Sequence, residues 1–329
     1  MRQRVRAVAV VVTLLLGVSP AIVSADAGWS LDQMAATRPR GRVGSQATPA
    51  AGAVAGAPSP CDAIGQATVS DPSAPDPALV DGVPTGISLS VLGAGSVQSL
   101  PPAPARLVLS RLTLASGAGV DNRFAVGPLV YYVEAGDVTF YVEGIETAVP
   151  SGQAILVPMN GLYAFANRGA GVASLLRLGV IPLATDDQPI MNLPTPPPVA
   201  ATPLTPPVSE LLVDGQVDVL PAVVATLVLA CLTWTDPVAS LGDRAYPGPI
   251  GIRVEQGQLR IDGTIDLGED GCTLFQADGV HRVEAGGVPP TVLIFGVIRD
   301  GARLWSTEAG AIAGEAALEP PAALTCGAG

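Results

Sequence analysis

Lysine is absent from this chain of 329 residues, and all 17 basic residues are arginines. They are outnumbered by 29 acidic residues, which gives a formal net charge of −12. Proteins that bind nucleic acid or an anionic membrane surface concentrate positive charge on one face, and this sequence contains no basic run. The composition therefore argues against a nucleic-acid partner.

Histidine occurs only once, as His281. A Ser-His-Asp triad needs a histidine as its general base, and a transition-metal site commonly needs two or three imidazole ligands. The single histidine excludes the first chemistry from most of the chain and the second from any site within one subunit. We expect His281 to be a hydrogen-bonded structural residue, and it stays a weak candidate for catalysis.

Aromatic residues are few, at 4% of the chain, and charged residues make up only 14%. Glycine (38 residues) and proline (32 residues) are abundant instead. Both residues interrupt helices and mark turns. We therefore expect many short strands and few long helices.

Long hydrophobic runs are missing except at the N-terminus. The apolar run Ala7–Val18 follows three arginines among the first six residues, and small residues precede Asp26. This pattern predicts a signal peptide over residues 1–25, a secreted or extracytoplasmic protein, and no membrane span after cleavage. An uncleaved membrane anchor is the alternative, although the run is short for a span of about 20 residues.

Composition divides the rest of the chain. Residues 26–85 are rich in alanine, glycine and proline and predict a flexible N-terminal arm. Residues 183–207 contain clusters of proline and predict a semi-rigid linker. Two domains remain, 86–182 and 208–299, and a C-terminal tail follows at 300–329.

The two domains are copies of one pattern, because several short motifs recur at a nearly constant offset of about 120 residues. Such an offset, kept over most of a domain, indicates an internal duplication. The matched segments are Gly95-x-Val97 with Gly215-x-Val217, Leu107-Val108-Leu109 with Leu227-Val228-Leu229, Arg123 to Leu129 with Arg244 to Ile250, and Gly179-Val180-Ile181 with Gly296-Val297-Ile298.

Four cysteines remain, and an even number in an exported chain favours disulfides over reactive thiols. Four cysteines allow three pairings. We prefer Cys61–Cys326, which would join the two terminal segments, together with Cys231–Cys272, which lies within the second repeat. Buried free thiols are the alternative.

Each repeat is a series of short β-rich runs separated by turn signals such as Glu134-Ala135-Gly136-Asp137. Runs of this length and spacing favour a sandwich or a barrel. The predicted fold class is all-β, with two tandem double-stranded β-helix (jelly-roll) barrels. Such a chain is a monomer with an internal pseudo-dimer, or a homodimer of that unit.

One motif of the first repeat has a distinctive spacing, Gly152-x5-Pro158-x-Asn160-x2-Tyr163-x3-Asn167. It resembles the second cupin motif, Gly-x5-Pro-x-Gly-x2-His-x3-Asn. Gly152, Pro158 and Asn167 fall in register, whereas Asn160 replaces the glycine and Tyr163 replaces the histidine. Together with the duplication, this resemblance implies a bicupin, with a cupin barrel in each repeat.

In cupins the two motifs together supply three histidines and a glutamate to a metal ion. Leucine and isoleucine offer no lone pair to a metal, and arginine is a fixed cation. The resemblance therefore implies a fold without the usual metal site, and we expect no cofactor. The residues at the four ligand positions are Arg123, Ala125, Leu129 and Tyr163 in the first repeat, and Arg244, Tyr246, Ile250 and His281 in the second.

Strand alternation places the ligand positions and their second neighbours toward the barrel interior. An inward arginine can hold a carboxylate with two parallel hydrogen bonds, so the pattern suits a small anionic or saccharide ligand. Alternatively, aromatic and aliphatic side chains fill each barrel, and the arginines lie at the rim or pair with Asp121 or Asp243. The candidate ligand-binding residues are Arg123, Tyr131 and Tyr163 in the first barrel, and Arg244, Tyr246 and His281 in the second.

Two glutamates and two tryptophans are given structural roles from their positions in the sequence. Glu134 and Glu255 occupy the same place in the repeated turn and are expected to be solvated. Trp29 and Trp305 lie in irregular segments, and each is a candidate to cover the end of a barrel. Neither pair is expected to carry chemistry.

Three functions stay open. We prefer an exported, metal-free bicupin that binds a small molecule or saccharide, or acts as a scaffold, without catalysis. The first alternative is a metal-independent sugar epimerase or isomerase that uses His281 with Tyr246 in the second barrel. The second alternative is a purely structural protein of the cell envelope, with both barrels packed by side chains.

Overall fold

The structure of the protein is a computed structural model. It describes Cys61 and residues 82–183, 204–222, 224–306 and 324–326. The predicted signal peptide and Trp29 lie outside these residues, as do most of the arm, the linker and the tail. The described residues form nineteen strands, numbered β1 to β19 in chain order. No helix among them is long and apolar enough to span a membrane.

Two large antiparallel sheets each combine strands from both repeats. The five-stranded sheet has the order β1 (Ile87–Val97), β11 (Ala225–Trp234), β18 (Thr291–Arg299), β13 (Ile250–Gln256) and β16 (Cys272–Phe275). The six-stranded sheet has the order β19 (Leu324–Cys326), β10 (Val208–Val217), β2 (Ala105–Leu114), β9 (Ala173–Pro182), β4 (Leu129–Ala135) and β7 (Ala154–Val157).

Each repeat also forms a small sheet of its own. That of the first repeat has the order β3 (Gly119–Phe124), β8 (Leu162–Ala166), β5 (Asp137–Val142) and β6 (Ile145–Pro150). That of the second has the order β12 (Ser240–Ala245), β17 (Val280–Ala285), β14 (Leu259–Ile261) and β15 (Ile265–Leu267). The first small sheet packs on the six-stranded sheet to form the first barrel, and the second packs on the five-stranded sheet to form the second barrel. The predicted all-β fold of two jelly-roll barrels is confirmed.

The first strand of each repeat belongs to the barrel of the other repeat. β1 pairs with β11 of the second repeat, from Ile87–Trp234 to Val97–Ala225. β10, the first strand of the second repeat, pairs with β2 of the first. Both exchanged strands carry a β-bulge at the same place in the repeat. The two repeats are therefore interlocked by a reciprocal exchange of strands.

Alternation along the strands supplies three cores from the same two large sheets. In β4, Val130 and Tyr132 face the core between the two large sheets, whereas Leu129, Tyr131 and Val133 face the interior of the first barrel. Successive side chains of a strand point to opposite faces, so one strand serves two cores. The same division in β11 and β18 serves the interior of the second barrel.

Equivalent turns fix the register between the two repeats. The N–H of Asn160 donates to the carbonyl of Ala125 at 2.7 Å, and the N–H of Asp278 donates to the carbonyl of Tyr246 at 2.8 Å. Ala125 and Tyr246 are therefore structural counterparts. Three residues after each of these turns, Tyr163 and His281 occupy the same position in the two barrels.

The disulfides confirm that all four cysteines are paired, but the preferred pairing is wrong. Cys61 is bonded to Cys231, and Cys272 is bonded to Cys326. Cys231 and Cys272 lie in one row of the five-stranded sheet, with β18 and β13 between them. Strands spaced about 4.8 Å apart put these two residues about 14 Å apart, and a disulfide spans at most about 7 Å between Cα atoms.

The second disulfide joins the C-terminal strand β19, which lies at the edge of the six-stranded sheet, to β16 at the edge of the five-stranded sheet. β19 pairs with β10 through Val213–Cys326 and Gly215–Leu324. Leu324 occupies the space above Gly215, where an added Cβ would lie only 2.1 Å from its Cδ2 atom. The predicted tail therefore contributes a strand to the core, which no pattern in its sequence had indicated.

Candidate functional site

The interior of the first barrel is filled by four aromatic rings. Tyr131 contacts Phe140 and Phe165 with ring centroids 5.3 Å apart, and Phe140 contacts Phe165 at 5.2 Å. Tyr163 adds a fourth ring at 6.1 Å from Tyr131. All four side chains are buried. Tilted rings at these distances are a favourable packing arrangement, so side chains take the space that a ligand would need.

The polar atoms of this barrel satisfy one another or reach the surface. The hydroxyls of Tyr131 and Tyr163 lie 3.4 Å apart. Burial raises the pKa of Tyr131 well above its usual value, so its hydroxyl stays protonated. Arg123, expected to point inward, is exposed, although it pairs across the strands with Tyr163. The guanidinium lies at the rim, as the alternative interpretation had it.

The second barrel has buried polar side chains where the first has rings and an exposed arginine. Arg244 is the second-last residue of β12, and Tyr246 lies two positions further along the chain. Alternation therefore turns both side chains to the interior. Arg244 is 8% exposed, and Tyr246 is fully buried. Burial raises the pKa of Tyr246 well above its usual value, with a smaller contribution from Asp262 and opposition from Arg244.

His281 lies beside Arg244, because β12 and β17 pair these two residues directly. Its ring stacks on Phe275, with centroids 4.1 Å apart and planes 14° apart. Its Nδ1 atom lies 2.8 Å from Oδ2 of Asp262, and Oδ1 of Asp262 accepts a hydrogen bond from the N–H of Arg282. A carboxylate on one ring nitrogen fixes the orientation of the imidazole.

Trp305 joins this cluster from the predicted tail. Ala245 and Ser306 form an isolated antiparallel bridge, which sets Trp305 beside Tyr246 on the inner face. The indole is 1% exposed and packs in the core of the second barrel. The sequence had indicated Trp305 only as a cover for a barrel, because nothing in its irregular surroundings links it to Tyr246.

Three buried donors of the cluster lack a hydrogen-bond acceptor among the described residues: Nε of Arg244, the hydroxyl of Tyr246 and Nε1 of Trp305. The guanidinium of Arg244 makes one hydrogen bond, from Nη2 to the carbonyl of Gly82 at 3.4 Å. Its sequence neighbour Asp243 pairs with Arg282 instead. Buried donors are normally satisfied, so this concentration of unpaired N–H and O–H groups marks the site.

The ligand positions of a cupin metal site do not fit a metal ion in this chain. In the second barrel a metal would face the guanidinium of Arg244, the aliphatic Ile250 and a tyrosine whose pKa is raised. Only His281 offers an imidazole nitrogen. In the part of the chain that the structure describes, no three histidine, cysteine, aspartate or glutamate side chains come together as a metal site.

Glu134 and Glu255 are not solvated, contrary to expectation. Their side chains are only 9% and 10% exposed, and both lie near Arg111 of β2, at distances of 3.1 Å and 3.5 Å respectively. Glu255 also pairs with Arg253 at 3.2 Å. The strands that carry them face the core between the two large sheets, so these turn residues form an ionic cluster at its edge.

Comparison with solved structures finds several similar proteins. A cupin 2 conserved barrel domain protein from Leptotrichia buccalis is 17% identical, with 63% of this chain and 90% of that chain covered and a TM-score of 0.34. Oxalate decarboxylase from Bacillus subtilis is 13% identical, with 70% and 80% covered and a TM-score of 0.40. AerE from Microcystis aeruginosa is 10% identical, with 62% and 98% covered and a TM-score of 0.38.

Neither a family model nor a curated protein sequence matches the chain. The similarities to solved structures are low, so the description of the fold as two jelly-roll barrels rests on the strand order, the duplicated turns and the two facing sheets of each barrel. The similarities to solved structures carry no information on the activity of this chain.

Proposed function

We propose that this protein is an exported, metal-free and non-catalytic bicupin whose second barrel binds a small anionic or saccharide ligand. The observation that carries the proposal is the presence of three buried donors without acceptors among the described residues, all in the second barrel, with Arg244 directly beside His281. An unsatisfied buried polar group costs about 1–3 kcal/mol. A ligand that brings acceptor oxygens to this place would recover that cost on binding.

The contrast between the barrels supports the assignment of binding to one of them. In the first barrel, Tyr131 and Tyr163 place their hydroxyls against each other, and four rings fill the interior. The counterpart of Tyr163 in the second barrel is the smaller His281, and that of the small Ala125 is Tyr246. The first barrel acts as a structural unit that holds the second in place through the exchanged strands.

Export is supported by the two disulfides, because disulfides persist in oxidising compartments. If the predicted signal peptide is removed, N-terminal sequencing of the exported protein begins at Asp26. Elemental analysis of this mature protein should find bound metal well below one ion per chain. One equivalent of Mn, Fe, Zn or Cu retained through purification would contradict the metal-free assignment.

The binding proposal is tested by thermal unfolding in the presence of a fixed panel of neutral monosaccharides, sugar acids and small carboxylates. We expect at least one compound to raise the unfolding temperature of the parent protein and to have no effect on Arg244→Met. Tyr131→Phe, which removes a buried hydroxyl from the first barrel, is the matched control and should respond like the parent. A panel without any stabilising compound would contradict the proposal.

Stability separates a binding arginine from a structural one. Arg253 is buried to a similar degree but is held by Glu255 and Asp270. Removal of one partner from such a buried pair costs about 3 kcal/mol or more, so Arg253→Met should be strongly destabilising. Arg244→Met removes an unpaired donor and leaves no ion without its partner. We expect the free energy of unfolding of Arg244→Met to equal or exceed that of the parent.

A metal-independent isomerase or epimerase is the second candidate, and the Asp262–His281 pair favours it. A carboxylate on Nδ1 leaves Nε2 of the imidazole as a general base. Such an enzyme would exchange a carbon-bound proton of its substrate with solvent. Incubation of the sugars and sugar acids of the panel in D2O, followed by NMR, would show deuterium incorporation that His281→Gln abolishes. No incorporation by the parent protein would remove this candidate.

A further inference from the structure

A short strap, Gly82–Gly86, lies against the polar cluster of the second barrel. The carbonyl of Gly82 accepts the hydrogen bond from Arg244, and Val83 packs on the core of this barrel. The far end is held where the carbonyl of Gly86 accepts hydrogen bonds from the N–H groups of Thr235 at 2.9 Å and Asp236 at 3.3 Å. The strap thus meets Arg244 through one long hydrogen bond, and its apolar contact is with the core of the barrel through Val83.

The guanidinium edge that meets the strap is the edge that binds carboxylates elsewhere in this chain. Arg106, Arg260 and Arg282 each present Nε and Nη2 together to the two oxygens of an aspartate. Arg244 presents the same two nitrogens, yet Nε has no acceptor among the described residues and Nη2 has only the Gly82 carbonyl. A planar carboxylate matches this fork with two parallel hydrogen bonds, which a single carbonyl cannot provide.

The surrounding groups favour the same ligand chemistry. The hydroxyl of Tyr246 and the indole N–H of Trp305 add two donors, and an indole can only donate. The nearby carboxylate of Asp262 is already bonded to His281 and to the N–H of Arg282, so it does not compete for the fork. The cluster therefore offers a positive charge and a surplus of donors to an acceptor-rich anion.

Resting on the proposed binding function, we propose that the ligand is a small carboxylate that displaces the strap. Its two oxygens accept hydrogen bonds from Nε and Nη2 of Arg244, and the Gly82 carbonyl occupies the acceptor position at Nη2 while no ligand is bound. Both end residues of the strap are glycines with positive φ, 67° at Gly82 and 84° at Gly86. The strap therefore ends at two points where the backbone has a conformation that other residues rarely adopt.

The first test is calorimetric titration of the mature protein with sodium acetate, glycolate and malonate, with acetamide and glycolamide as neutral isosteres. We expect a carboxylate to bind and the amides not to bind. Arg244→Lys keeps the charge but loses the fork, so the dissociation constant should rise at least about tenfold. Equal dissociation constants of the parent protein and Arg244→Lys for the same carboxylate would overturn the two-point contact.

The second test addresses the strap. An added Cβ at Gly86 would lie 2.8 Å from Cβ of Asp236, so Gly86→Ala detaches the strap and should tighten carboxylate binding by about threefold or more. Gly117→Ala, at another positive-φ glycine with open space around it, is the control and should leave affinity unchanged. An unchanged or weaker affinity in Gly86→Ala would overturn the competition between strap and ligand.

A measurement on the parent protein keeps this test independent of variants that fail to fold. The amide of Thr235 is protected by the carbonyl of Gly86. Ligands usually slow amide exchange, but displacement of the strap should accelerate hydrogen exchange at Thr235 when a saturating carboxylate is added. Carboxylate binding without faster exchange there would overturn the displacement.

The outcomes also separate this inference from the function on which it rests. If a neutral sugar binds in a manner that needs Arg244 and no carboxylate binds, the ligand class is wrong and the binding function stands. If no sugar, sugar acid or carboxylate binds, both are wrong.

Discussion

Arg244 and Arg253 are both buried, and their surroundings differ in one respect. Arg253 is surrounded by acceptors, which include Glu255, Asp270 and the carbonyl of Leu212. Among the described residues, Arg244 reaches a single carbonyl, that of Gly82. The cost of desolvating a charge is offset by partners in the first case and not in the second. The pattern of bonds, rather than burial, distinguishes an arginine that stabilises the fold from one that is available to a ligand.

The ionic cluster at the edge of the large sheets makes stability depend on pH. Burial raises the pKa of Glu255, and Arg111 and Arg253 oppose the shift without cancelling it. The folded protein therefore holds this proton more tightly than the unfolded chain, whose glutamate has a pKa of about 4.3. The contribution of Glu255 to stability is complete below that value and is lost as the pH rises through its folded pKa.

Glu255→Gln removes this titration and keeps an acceptor for Arg253. We expect the free energy of unfolding of the variant, relative to the parent, to increase from about pH 4 to about pH 7 in urea denaturation. Glu146→Gln is the control, because Glu146 and its partner Arg168 are both more than half exposed. Its effect should stay below about 1 kcal/mol at either pH. A relative stability that falls with pH would mean that the ion pairs outweigh burial.

The candidate site could be predicted only in part. Motif spacing and strand alternation identified Arg244, Tyr246 and His281, because each lies at a definite position within its own repeat. They did not identify Gly82, Asp262 or Trp305, which reach the cluster through loops or through pairing between distant segments. Arg123 was misplaced for a related reason, since the register of β3 shifts next to it at a bulge.

At the level of the elements, the strands themselves were predictable and their partners were not. Short apolar runs between turn residues define strands locally, and the repeated motifs define two copies. The same runs would suit two barrels whether or not they exchange their first strands. β1 and β10 have equivalent sequences, and each barrel offers an equivalent edge strand for pairing. The disulfide pairing failed in the same way, since it depends on how many strands lie between two cysteines in a sheet.

The disulfide between Cys272 and Cys326 should contribute measurably to stability, because it closes a long loop and holds β19 on the sheet. Its sequence separation is 54 residues. The double variant Cys272→Ser, Cys326→Ser should lose about 2–4 kcal/mol in urea unfolding. Peptide mapping of the parent under non-reducing conditions should recover Cys61 with Cys231 and Cys272 with Cys326. A fragment that joins Cys61 to Cys326 would show that the pairing is wrong.

At the scale of the whole molecule, strand exchange makes the two repeats depend on each other. A specific protease site introduced within residues 184–203 divides the chain between the repeats. We expect the two pieces to co-elute in gel filtration after cleavage, because β1 stays paired with β11 and β10 with β2. The experiment uses the variant Cys61→Ser, Cys231→Ser, since that disulfide would join the pieces covalently.

The same pieces expressed separately provide the comparison. The first piece lacks β10 and β19 of the six-stranded sheet, and the second lacks β1 of the five-stranded sheet. Each therefore exposes an unpaired edge, so neither should give a soluble monomer with a cooperative unfolding transition. A soluble, cooperatively unfolding monomer from residues 82–183 alone would contradict the dependence of the first barrel on β10.

The strand exchange also affects the order in which strands can pair while the chain is being synthesised from its N-terminus. β1 is made before its pairing partner β11, and β2 is made before its pairing partner β10. The core between the large sheets collects residues from Leu92 to Val297. A newly made first repeat therefore exposes unpaired strand edges on a nascent chain, a condition that favours aggregation. We therefore expect this protein to complete its folding only after both repeats have been synthesised, although each barrel is small.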